Sequence, residues 1–162
     1  NYVSQGELRY IRRIYRVLEV DFYDEADDKL LKFAVILAKT QEKWIFCKHK
    51  ERDTYEVPGG HREKGEDILE TARRELREET GAADFTIKPI CAYSVRRKNS
   101  VTKRVDEETF GMLFLADIFS FHELDKTSEM ETILITDRLV DNWTYPLIQP
   151  KLLEEAKRRG YL

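Results

Sequence analysis

Cysteine is scarce: Cys47 and Cys91 are the only two in 162 residues. That is too few for a disulfide framework, and both fall in strand-like stretches, so they read as buried thiols in a reducing compartment. No apolar run approaches the ~20 residues a membrane-spanning helix needs, and no secretory leader stands at the start. Charge of one sign is also lacking. The 28 Lys and Arg nearly balance the 31 Asp and Glu, a net charge of −3. A polymeric nucleic-acid partner is therefore not advertised by bulk charge. With 4 Pro, 7 Gly, no repeats and no low-complexity linker, the expectation is one cytoplasmic domain over residues 1–162, monomeric or homodimeric.

Against that background one segment stands out. Pro58-Gly59-Gly60 is a turn signal, and Asp67 with Glu70 has the spacing of a helix cap. Ile68 to Thr80 contains no Pro or Gly, and Gly81 sits where a helix terminates in the left-handed conformation. Leu69, Ala72 and Leu76 are read as the core stripe. Glu75, Glu78 and Glu79, at i, i+3 and i+4, are expected to converge on another face, with Arg74 and Glu78 as an i, i+4 pair. At ~4 Å each carboxylate pair would repel by about 1 kcal/mol in water, and by about 4 at an effective dielectric of 20. A hard divalent cation such as Mg²⁺ or Mn²⁺ reverses that sign. A solvated acidic helix face would carry the same three residues.

Taken in register, Gly60, Glu66, Arg74-Glu75-Leu76, Glu78-Glu79 and Gly81 resemble the Nudix box. That pattern is G, five residues, E, seven residues, R-E-U, one residue, E-E, one residue, G-U, where U is bulky and aliphatic. Ala82 departs from it at the last U. The resemblance implies an α/β (α+β) Nudix fold, a mixed sheet sandwiched between helices. It implies that Glu75, Glu78, Glu79 and the carbonyl of Gly59 hold the metal, with Glu66 near the metal face and Arg74 orienting the glutamates. It also implies hydrolysis of a diphosphate linkage in a nucleoside diphosphate derivative. The compact size is similar to that of MutT-like enzymes, which convert (deoxy)nucleoside triphosphates, 8-oxo-dGTP among them, to monophosphate and pyrophosphate. ADP-ribose, NADH and diadenosine polyphosphates are alternative substrates, and a non-catalytic nucleotide-binding module is the alternative class.

The rest of the chain supplies candidates around that segment. Leu30 to Ala38, Trp44 to Lys48 and Tyr55 to Val57 read as strands. Phe85 to Val95, Thr109 to Phe119 and Ile133 to Thr136 read likewise, and Asn1 to Val20 leans the same way. Gln149 to Arg159 reads as a helix packing Leu152, Leu153 and Ala156. Arg52, in the basic loop with Lys48, His49 and Lys50, is a candidate phosphate contact, as is His61. Arg96 to Glu108 reads as a charged loop able to act as a lid. Relatives take their general base from a downstream loop, for which Glu129 is preferred here, ahead of Glu131, Glu123 and the pair Glu107-Glu108. Asn142 is placed to read a base edge, and Trp143 or Tyr145 to stack on it, although both aromatics could equally pack the last helix.

Overall fold

The structure, a computed structural model, describes Ser4, residues 16–123 and residues 130–162. The elements run β1 (Arg16–Tyr23), β2 (Leu31–Thr40), β3 (Lys43–His49), β4 (Tyr55–Glu56), β5 (Gly59–His61), α1 (Ile68–Thr80), β6 (Ala82–Asn99), β7 (Val105–Phe121), β8 (Met130–Thr136) and α2 (Gln149–Arg158). Among the described residues the strands form one sheet, ordered β1-β6-β7-β2-β3-β4, with β5 also on β2 and β8 also on β3. β2 and β7 pair in parallel and the other pairs are antiparallel. The sheet is therefore mixed, as the resemblance implies.

Alternation along β2 explains how a nearly continuous apolar run can sit at the centre of that sheet. Ala34, Ile36 and Ala38 face the cluster that holds Ile68, Ala72 and Leu76 of α1. Leu37, with Phe33 and Val35, faces the cluster that holds Leu152, Leu153 and Ala156 of α2. The sheet thus has a helix on each side. Gln41 and Glu42, both at positive φ (48° and 66°), make the two-residue turn into β3, a geometry that matches strand twist despite the absence of glycine.

Two expectations are corrected. Leu69 is not in the core stripe: it is 38% exposed, and Ile68 replaces it. Ile68, Ala72 and Leu76, spaced i, i+4, i+8, follow one ridge of the helix. Arg96 to Glu108 is not a loop either, since β6 continues to Asn99 and β7 starts at Val105. Its charges are cross-strand partners. Arg96 lies opposite Glu108 on β7 and Glu19 on β1, and Arg97 lies opposite Glu107. The Arg96 guanidinium reaches Glu19 at 2.9 Å and Asp21 at 2.7 Å, and Lys98 reaches Glu19 at 3.1 Å. The connection is closed by Asn99, whose Oδ1 accepts from the N–H groups of Val101 and Thr102. That side-chain turn joins β6 and β7 as a hairpin, with Glu107 and Glu108 on a strand and not in a loop.

Candidate active site

The helix forms where its caps say it should. The Asp67 carboxylate accepts from the Glu70 N–H at 2.8 Å, and Asp28 adds a second cap by accepting from the Ile68 N–H at 3.2 Å. Gly81, at φ 75°, closes the other end and donates to the Arg77 carbonyl at 3.0 Å. β5 is laid across the helix by pairing with β2, Gly59 opposite Val35 and Gly60 opposite Ala34.

That crossing leaves no free space for a Cβ at either glycine. A Cβ on Gly59 would stand 2.5 Å from the Ala34 carbonyl oxygen, and one on Gly60 would fall within 2.7 Å of the Glu75 carboxylate. The turn and Glu75 therefore occupy adjoining space. On the next turn of the helix, Glu79 is buried and accepts from the Gly59 N–H through Oε1 at 3.3 Å. Its Oε2 is buried without a hydrogen-bond partner. Burial first, then contact with the Glu75 carboxylate, hold the Glu79 carboxyl well above the usual range. Two carboxylates pressed together in low dielectric, one with an orphaned oxygen, form a hard-oxygen donor set suited to a divalent cation.

Convergence of all three glutamates is not observed. Among the described residues, no three His, Cys, Asp or Glu side chains stand gathered for a metal. Glu75 and Glu79 lie one turn apart beneath β5, whereas the Glu78 side chain is 59% exposed and meets Arg74 at 3.2 Å. The same Arg74 Nη1 reaches Glu75 at 2.9 Å, so Glu75 and Glu78 share one guanidinium nitrogen.

Arg74 is the hub that fixes the rest. Its Nε and Nη2 donate to the two Glu66 oxygens at 2.6 and 3.0 Å, Nη1 to Glu75 at 2.9 Å, and Nη2 to the His61 carbonyl at 3.0 Å. Those partners, Glu66 foremost, raise its pKa further and keep it charged. The same contact holds Glu66 down to about 2. Glu66 also accepts from the Glu63 N–H and the Thr71 hydroxyl, so in this structure it fastens Arg74 and the loop. The His61 ring packs edge-on to Phe33, centroids 6.2 Å apart.

Beside this site lies the loop before β4. The Arg52 guanidinium stands 5.9 Å from the centre of the Tyr145 ring and 3.6 Å from Glu56. Asn142 donates its amide to the Asp53 carbonyl at 3.0 Å, which ties this loop to the C-terminal segment. Trp143 is packed against the α2-side core, edge-on to Phe46 at 5.4 Å, whereas Tyr145 stays 41% exposed. Glu129 lies outside the described residues, as does the Glu131 side chain; Glu123 is exposed. Cys47 and Cys91 are free and buried.

Sequence reasoning missed two residues. Arg62 donates to the Glu66 carbonyl at 2.7 Å and to the Asp28 carboxylate at 2.6 Å, clamping the loop that enters α1. Glu56 is a buried carboxylate on β4. Its signal was parity: between Tyr55 and Val57, which face the α2 side, it must point towards α1.

Comparison with known proteins agrees with this fold. A family profile described as the NUDIX domain matches residues 28–157. YtkD of Bacillus subtilis (strain 168), described provisionally as an 8-oxo-dGTP diphosphatase, is 33% identical over 84 residues. That alignment covers 52% of this chain and 52% of YtkD, so the match spans about half of the relative's length. The crystal structure of the Bacillus subtilis pyrophosphohydrolase BsRppH superposes with a TM-score of 0.71 at 22% identity, covering 90% of this chain and 93% of that one. A NUDIX hydrolase from Nitrosomonas europaea gives 0.53 at 18% identity, covering 79% and 89%.

Proposed function

This chain belongs to the NUDIX family, and from that premise we propose that it is a pyrophosphohydrolase cleaving a diphosphate linkage in a nucleotide. The supporting observation is the half-buried Glu75 beside the buried Glu79 beneath Gly59-Gly60, with the orphaned Glu79 Oε2. Nudix hydrolases generally use divalent cations; here Mg²⁺, or Mn²⁺ in its place, would be held by Glu75 and Glu79, with Glu78 and the Gly59 carbonyl as further oxygen donors. Bound there, such a cation supplies polarisation of phosphate oxygens and acidification of its waters.

The protein's own groups do the positioning. Arg74 fixes Glu75 and restrains Glu78, and the Gly59 N–H fixes Glu79. Arg52, at the rim, contacts a substrate phosphate. Glu129 takes the proton of the attacking water as its oxygen adds to phosphorus and the bond to the bridging oxygen breaks. The substrate is a (deoxy)nucleoside triphosphate, 8-oxo-dGTP being the first to test, giving monophosphate and pyrophosphate. The resemblance to YtkD over 84 residues supports this choice. Tyr145 stacks on the base, and Asn142 offers it the carbonyl of its side-chain amide.

Substituting Glu79→Gln tests the site: turnover should vanish while the fold survives. Turnover equal to wild type would refute it. Glu129→Gln should lower kcat at neutral pH, and an unchanged kcat would remove that residue from the mechanism.

A further inference from the structure

The strand side of the site holds a carboxylate that the account above does not use. Glu56 is 9% exposed, and its Oε1 is buried without a hydrogen-bond partner. The Arg52 guanidinium lies 3.6 Å from that oxygen, outside hydrogen-bond reach. Glu56 pairs directly with Cys47 across the β3–β4 ladder, so the two side chains share a face. The Cys47 thiol in turn lies 3.8 Å from the Glu79 carbonyl oxygen, to which it donates. Strand parity and register thus aim Glu56 at the last turn of α1, where Glu79 carries its own orphaned oxygen. Two carboxylates, one on β4 and one on the last turn of α1, each carry a buried oxygen without a hydrogen-bond partner. The Glu56 carboxylate is also close enough to Glu79 to act on it electrostatically.

Resting on the cation site proposed above, we propose that Glu56 is a positioning residue of that site: its carboxylate, outside the set of direct donors, accepts hydrogen bonds from the water a bound cation retains. Mg²⁺ sheds its water reluctantly, so acceptors just outside its direct ligands orient that water, and their loss typically weakens binding 10- to 100-fold. Arg52 closes the outer side of Glu56 and keeps its charge directed inward. A strand residue two positions before Pro58 would thereby help set the cation affinity of a helix.

The test is Mn²⁺ binding to the isolated protein, followed by electron paramagnetic resonance without any substrate. Wild type is compared with Glu56→Gln, Glu56→Asp and Glu79→Gln, with circular dichroism verifying the fold and thermal melts of the metal-free forms alongside. Glu56→Gln, which keeps shape and removes charge, should weaken Mn²⁺ about tenfold or more while raising the melting temperature of the metal-free protein. Glu56→Asp should recover most of the affinity. Unchanged affinity in Glu56→Gln, beside lost affinity in Glu79→Gln, overturns the role of Glu56 alone. So does a lowered melting temperature with unchanged affinity, the outcome for a carboxylate that serves only as the ion-pair partner of Arg52. Absence of Mn²⁺ binding by the wild type overturns the cation site and this proposal with it.

Discussion

Adding one methyl group at Gly60 should separate the site from the fold. The Cβ of Gly60→Ala would enter the space of the Glu75 carboxylate, within 2.7 Å of Oε2 and closer still to Oε1 and Cδ. Real contacts at that range do not occur, so something must move, and the end of a flexible side chain moves most cheaply. Swinging Glu75 aside breaks its hydrogen bond to Arg74 (2.9 Å), worth about 1.5–3 kcal/mol for a charged pair. It also relieves the Glu75–Glu79 crowding, so net stability should change by less than about 1 kcal/mol, some 2–4 °C in Tm at this size. Gly59→Ala is the contrast. Its Cβ meets backbone, the Ala34 carbonyl at 2.5 Å and Val35 Cα at 3.1 Å, and the central strand cannot step aside. Overpacking of that kind costs about 1–3 kcal/mol. Calorimetric melting together with Mn²⁺ titration and steady-state kinetics reads both variants. The expected result is a near-native Tm with at least about tenfold weaker cation binding for Gly60→Ala, and a lowered Tm for Gly59→Ala. Wild-type cation affinity and kcat in Gly60→Ala would refute the placement of Glu75 in the site.

Arg74→Lys keeps the charge but loses the fork that spans Glu66, Glu75 and the His61 carbonyl. It should cost about 1–3 kcal/mol in chemical denaturation and lower kcat more than it raises KM. Glu66, held down to about 2 by Arg74, stabilises the fold above its unfolded pKa near 4.5 and loses that contribution as pH falls towards 2. Denaturation midpoints of wild type and Glu66→Gln should therefore converge between pH 4.5 and 2 and stay apart at pH 7. Leu76→Ala, fully buried, should cost about 2–5 kcal/mol, whereas Leu69→Ala at 38% exposure should cost under about 1.

Local signals in the sequence carry the box helix almost to the residue, because Asp67, Gly81 and the uninterrupted stretch between them act through neighbouring backbone groups. The central strands are legible for a similar reason: an apolar run such as Leu31–Ala38 can only be covered on both faces. What escaped is set by distant partners. Arg96 to Glu108 looks like a solvated loop until Glu19 and Asp21 arrive from a strand some 75 residues away. The Arg74–Glu78 pair, four residues apart on one helix, was by contrast legible from spacing. Arg62 is a single charged residue whose partner, Asp28, becomes visible only when the sheet and helix are assembled, and the burial of Glu56 likewise follows from assembly. Glu129 lies beyond the described residues, and its role is tested by substitution alone.

The central claim is hydrolysis at phosphorus in a nucleotide, dependent on a divalent cation. Its most direct test is incubation of the protein with Mg²⁺ in oxygen-18 water and a panel of nucleotides: 8-oxo-dGTP, the unmodified dNTPs, ADP-ribose, NADH and diadenosine polyphosphates. Mass spectrometry of the products reads the outcome. The predicted result is monophosphate and pyrophosphate from one triphosphate above all others, one product carrying a single heavy oxygen, and no product when the cation is chelated. Cleavage of a conjugate instead would replace the substrate while keeping the site. A folded wild-type protein that releases no labelled product from any member of the panel, while Glu79→Gln binds the same nucleotides equally well, would contradict the account.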